Sequence, residues 1–120
     1  MNGLLVALGI AVAGGAGAAT RHLVDTSVPD RLRARFPWGI MIVNLSGSFV
    51  LGIVTGLALG HAAASIIATG FLGGYTTFST ASLDSARLLL ARRYGAALWN
   101  GPGMLLLSVA LSVTGILLVR

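Results

Sequence analysis

The stretch Gly70-Phe71-Leu72-Gly73-Gly74-Tyr75-Thr76-Thr77-Phe78-Ser79-Thr80 lies inside a long apolar run, and its reading decides the fold. A helix is expected from about residue 62 to residue 89, interrupted near residues 73–77. Two adjacent glycines each weaken a helix by ~1 kcal/mol relative to alanine. The hydroxyls of Thr76 and Thr77 then compete for backbone hydrogen bonds. Unwound backbone inside a bilayer persists only where protein or a cavity satisfies it. Carbonyls freed at such a break can hold a hard cation such as Na⁺. The half-helix that follows turns its N–H groups and positive dipole end toward the same place. The competing reading is a packing kink whose hydroxyls bond back to carbonyls, and periodicity alone leaves both open.

The bilayer is implied by what surrounds this stretch. The chain has 120 residues, 56% of them hydrophobic and 9% charged, with a mean hydropathy of +0.92. A soluble domain needs far more charge to cover its surface. A membrane-spanning helix needs ~20 mostly apolar residues, and four such helices account for most of the length. The expected fold is therefore an all-α integral membrane protein: one domain over residues 1–120, four transmembrane helices, the third broken near its middle. Met1-Asn2-Gly3-Leu4 lacks the basic region of a signal peptide, so the first apolar stretch is expected to be a retained helix.

Helix one is expected from about residue 4 to residue 20. Its run Gly14-Gly15-Ala16-Gly17-Ala18-Ala19 suits close helix approach in lipid, with Arg21 and His22 at its end. A first loop follows over residues 23–37, where Leu32 and Phe36 suggest a short interfacial helix. Pro37 and Trp38 open helix two at the headgroup level, which continues to about Leu59. Gly60-His61 is a tight turn. Helix four is expected over residues 94–119, kinked at Asn100-Gly101-Pro102-Gly103.

Arginine placement sets an orientation. Arg21, Arg31, Arg33, Arg35, Arg87, Arg92 and Arg93 fall on the side of the first and third loops, and Arg120 alone on the other. The positive-inside rule places the seven in the cytoplasm and both termini outside. The net charge of +5 is explained by these loops, so no nucleic-acid partner is expected.

The chain contains no cysteine, lysine or glutamate, which removes disulfides and thiolate chemistry. No Ser-His-Asp set or metal cluster can be built from the apolar stretches, so no enzyme is expected and there is no catalytic residue to assign. With no ionisable residue expected mid-membrane, passive ion passage is easier to support than proton-coupled pumping. Asn44 offers two amide donors within helix two. It would either bond between helices or face an ion. Phe78 could turn its positive ring edge to an anion or simply pack. Arg21 could draw anions to a vestibule or simply anchor a helix end.

Three segments together resemble the Fluc/CrcB fluoride channels. They are Gly14 through Arg21, Pro37-Trp38-Gly39 through Asn44-Leu45-Ser46-Gly47-Ser48-Phe49, and Gly70 through Thr80. The resemblance implies an antiparallel dimer with two narrow fluoride pathways and a structural Na⁺ at the dimer centre. It assigns Na⁺ to backbone oxygens of Gly74 and Thr77. It assigns the ion pathway to Asn44, Phe78, Ser79, Thr80 and Arg21. The implied role is passive fluoride exit across the cell membrane, with lipid and a second subunit as partners. Fluoride is strongly hydrated, and amide and hydroxyl donors and ring edges must replace its water.

Three positions depart from the family. Its motif continues to a second pore phenylalanine where this chain has Ala81. Its fourth helix carries a tyrosine and a serine where this chain has Asn100 and Met104. A seven-to-one arginine bias also argues for a single orientation, hence pairing with a homologous subunit of opposite bias. The alternative to a conducting subunit is a non-conducting or partly degenerate partner in a heterodimer. A small dual-topology drug exporter would need a membrane-embedded glutamate, which the chain lacks.

Overall fold

The computed structural model describes residues 2–120 and is helical, with no strand among the described residues. Helix α1 (Gly3–Ser27) leads through α2 (Asp30–Arg33) to α3 (Trp38–Leu57). A second half begins with α4 (His61–Ala64), π-helical Ser65–Leu72 and α5 (Gly73–Tyr75), and after residues 76–78 continues as α6 (Ser79–Leu90). The last rod is α7 (Tyr94–Leu98), π-helical Trp99–Gly103 and α8 (Met104–Leu118). Among the described residues three helices are long and apolar enough to cross a membrane: Gly3–Ser27, Trp38–Leu57 and Tyr94–Leu118.

Helix α1 runs to Ser27, seven residues past its expected end at Thr20. No residue between Arg21 and Ser27 breaks a helix, and the first proline is Pro29. The hydroxyls of Thr20, Thr26 and Ser27 bond back to the carbonyls of Ala16, His22 and Leu23 and stay inside the turn pattern. Arg21 is consequently a side chain within the helix rather than at its end. Helix four continues through Pro102 as π-helical turns. The wider i→i+5 turn accommodates the missing proline N–H.

Two tight seams organise the bundle. Helix α1 packs chiefly on residues 65–75, and α3 on α8. In the first seam a methyl group on Gly74 would collide with the Gly14 carbonyl, and one on Gly17 with the Phe71 carbonyl. In the second, one on Gly52 would collide with the Ser112 carbonyl. Backbones this close gain dispersion and polar contacts that lipid cannot offer, as small-residue helix pairs in membranes do. Ser112 Oγ adds a bond to the Ser48 carbonyl at 2.9 Å.

The side chains outside the seams are inverted relative to a water-soluble protein. Leu4, Val12, Leu23, Leu90, Leu98 and Leu106 are exposed. A continuous apolar exterior of this kind matches a lipid solvent and would aggregate in water. The loop side carries the ion pairs: Arg33 reaches Asp30 at 3.5 Å and Asp25 at 4.0 Å, and Arg87 reaches Asp84 at 3.9 Å.

Candidate ion pathway

The helical run from His61 to Leu90 is interrupted at residues 76–78, starting two residues after the glycine pair. Gly73 and Gly74 are themselves helical. Their role is space: Gly74 lets α1 approach, while Gly73 is exposed with nothing closer than ordinary contact distance. The unwinding occurs where Asn44 captures Thr77. Asn44 Nδ2 donates to the Thr77 carbonyl at 2.9 Å, and the Thr77 amide donates to Asn44 Oδ1 at 2.9 Å. That two-way pairing is possible with only one orientation of the amide, so its oxygen and nitrogen are assigned by the network. It replaces the bond that the Thr77 amide would otherwise make to Gly73 within a continuing helix. A second clasp, Ser46 Oγ with Tyr75 Oη at 2.9 Å, ties the same segment to α3.

The break exposes backbone groups of both signs. Among the described residues no amide donates to the carbonyls of Gly73, Gly74 or Tyr75, which are the orphan acceptors expected at a helix C-terminus. Arg21 Nη1 reaches the Thr76 carbonyl at 3.4 Å. On the other side, α6 opens with Thr77 Oγ1 accepting from the Thr80 amide at 3.2 Å. Among the described residues the Ser79 and Ala81 amides have no protein acceptor. Hard backbone oxygens at a negative dipole end suit Na⁺. Of the two expected ligands, Gly74 has an unengaged carbonyl, whereas that of Thr77 already accepts from Asn44. Gly73 adds a third oxygen on the open side.

A groove of ≈ 560 Å³ runs past the break between α3, α6 and the π-helical turn of helix four. Asn44, Ser48, Thr76, Thr77, Ser82 and Ser85 supply its polar groups, against largely apolar walls. Phe78 borders it and is 87% exposed, with Ser79 and Thr80 exposed beside it. The structure thus brings Asn44, Thr77 and Phe78 to one groove. Gly74 and Arg21 approach the break from the α1 side.

Asn100 also borders the groove, and in the sequence it stands out only as part of the expected kink and as a departure from the family, with no role assigned. It is 1% exposed. Its Nδ2 donates to the Ala81 carbonyl at 3.1 Å and to Ser85 Oγ at 2.9 Å. Its Oδ1 is buried without a partner among the described residues, although buried acceptors are nearly always satisfied. Its visible signal in sequence is a single amide beside Gly101-Pro102-Gly103.

The departures at positions 81 and 104 meet in space. Ala81 and Met104 share one buried cluster with Ile40 and Met41, so a small side chain on α6 faces a long one on α8. Ala81→Phe alone is expected to overfill this cluster and lower stability by about 1–3 kcal/mol, the usual cost of overpacking. Ala81→Phe combined with Met104→Ser should recover much of it. Thermal unfolding in detergent of the two single variants and the double variant measures this coupling.

A family model described as "CrcB-like protein, Camphor Resistance (CrcB)" matches residues 8–118. Fluoride-specific ion channel FluC 1 of Leifsonia xyli subsp. xyli (strain CTCB07) is 48% identical over 116 residues, spanning 93% of this chain and 85% of the relative. Fluoride-specific ion channel FluC 2 of Mycobacterium tuberculosis (strain ATCC 25618 / H37Rv) is 43% identical over 108 residues, 90% of this chain and 86% of its own length. Fluoride-specific ion channel FluC 2 of Nitrobacter hamburgensis (strain DSM 10229 / NCIMB 13809 / X14) is 41% identical over 125 residues, 100% of this chain and 98% of the relative.

Proposed function

Since the chain belongs to the CrcB-like family of membrane ion channels rather than to any enzyme family, we propose that it is a subunit of a channel for passive fluoride exit from the cytoplasm. The observation that carries the reading is the groove at the break. It sets an asparagine amide, hydroxyls and an exposed Phe78 ring along one apolar-walled path, with the unused amides at the start of α6 beside it. Neutral donors of this kind can replace fluoride's water without holding the ion too tightly to leave. In this reading the groove is one wall of a pathway. An antiparallel partner supplies the other and covers Phe78, and the interrupted run 61–90 is a fourth crossing.

A structural Na⁺ belongs at the carbonyls of the break. Gly74 supplies one of them, Gly73 joins it on the groove side, and Thr77 offers only the lone pair Asn44 leaves free. The ion neutralises the negative end of the first half-helix where two subunits meet. The arginine bias places both termini outside and favours a homologous partner of opposite orientation.

Purified protein reconstituted in fluoride-loaded liposomes, alone and with a homologous second subunit, tests the proposal. Fluoride efflux by ion-selective electrode is expected for the assembled pair, to be lost when Na⁺ is replaced by a large organic cation during purification. No efflux under either pairing would refute the channel reading. Efflux from this chain alone through two equivalent pathways would refute the unequal pair.

A further inference from the structure

The Asn44 side chain has two N–H groups and one strong acceptor, and each is already engaged. Oδ1 accepts from the Thr77 amide at 2.9 Å. Nδ2 donates to the Thr77 carbonyl at 2.9 Å and to Met104 Sδ at 3.2 Å. An anion reaching Asn44 therefore finds no free donor and must displace an acceptor. Displacing the Thr77 carbonyl would orphan the backbone of a buried residue. Displacing the sulfur costs far less, because a thioether is a weak acceptor that also sits well among apolar groups. Met104 is buried in the cluster with Ile40, Met41 and Ala81, all apolar.

We propose that Met104 Sδ is a placeholder acceptor. It occupies the second N–H of Asn44 while no anion is present, yields it to fluoride, and so sets the fluoride concentration at which the pathway fills. A strong acceptor at this position would compete with the ion, and no acceptor would leave a donor waiting for it. The sulfur lies between these, keeping Asn44 oriented for its pairing with Thr77 and the next ion weakly opposed. The inference rests on the reading that Asn44 faces fluoride, and it adds the residue that tunes that contact.

The test is fluoride titration of the assembled protein in detergent, read from the Asn44 side-chain amide resonances by nitrogen-15 NMR. Met104→Leu removes the acceptor at similar volume and is expected to lower half-saturating fluoride about fivefold, the scale of one ordinary net hydrogen bond. Met104→Gln supplies a strong acceptor and is expected to raise it by a similar factor. Norleucine in place of methionine keeps the side-chain shape without sulfur and should follow the leucine variant if that variant fails to assemble. Shifts of the same sign for Leu and Gln would assign Met104 to packing and overturn the proposal, as would an Asn44 amide indifferent to fluoride. Liposomes silent for all proteins would count against the channel function, whereas this tuning is decided by the titration.

Discussion

Gly74→Val is expected to prevent assembly of the bundle, whereas Gly73→Ala beside it should be tolerated. The first Cβ at position 74 meets the Gly14 carbonyl, with the Gly14 carbonyl carbon at 2.8 Å and Cα at 3.0 Å. Those atoms are backbone and cannot rotate aside, so α1 as a whole must move. Extra volume in a well-packed core costs about 1–3 kcal/mol even where side chains can adjust. Here they cannot, and valine adds two further methyls. The same seam carries Gly17 against Phe71, so a shift of α1 disturbs both contacts. At Gly73 the nearest atom to a new methyl is the Ala68 carbonyl oxygen at 3.8 Å, an ordinary contact. Size-exclusion profiles and thermal unfolding in mild detergent measure the difference. A monodisperse, wild-type-stable Gly74→Val protein would show that the two helices do not meet as described.

The second large effect is expected at Asn44. Asn44→Leu strips the Thr77 amide and carbonyl of their partners, and each buried unsatisfied group costs about 1–3 kcal/mol. Loss of order at residues 76–78 and fluoride efflux at background should follow together. Asn44→Asp separates the two roles. A carboxylate still accepts from the Thr77 amide but cannot donate to its carbonyl, and it puts a negative charge beside the groove. If Asn44 faces the anion, Asn44→Asp is expected to lose efflux at least a hundredfold while keeping more stability than the leucine variant. Wild-type efflux from Asn44→Asp would remove Asn44 from the pathway.

Local pattern in the sequence was enough to show helices, a lipid environment and a special segment at residues 70–80. Periodicity and loop charge are properties of neighbouring residues, and they carry that much. The details that make the site are tertiary. Gly74 marks a helix-helix seam, and the unwinding at Thr77, three residues later, is set by Asn44, 33 positions away. Arg21 reads as the end of a helix because charge usually marks an interface. Hydroxyls that bond back within the turns carry α1 past it, and its guanidinium meets the break. Ala81 and Met104 read as two separate losses, yet one core compensates one with the other. Asn100 reads as a departure from the family beside a kink, and only burial reveals an amide oxygen without a donor among the described residues.

Each tight seam joins a helix to the next but one: α1 to residues 65–75, and α3 to α8. A nascent chain emerges in order, so α1 must wait for the third apolar run before its glycines find their complement, and α3 must wait for the last. The early helices therefore enter lipid before either seam can close, with Gly14, Gly17 and Gly52 presenting bare backbone to acyl chains. Assembly is correspondingly back-loaded. Loss of α8 would strand the glycine face of α3, and the Asn44 clasp on Thr77 can close only after both partner helices have been made.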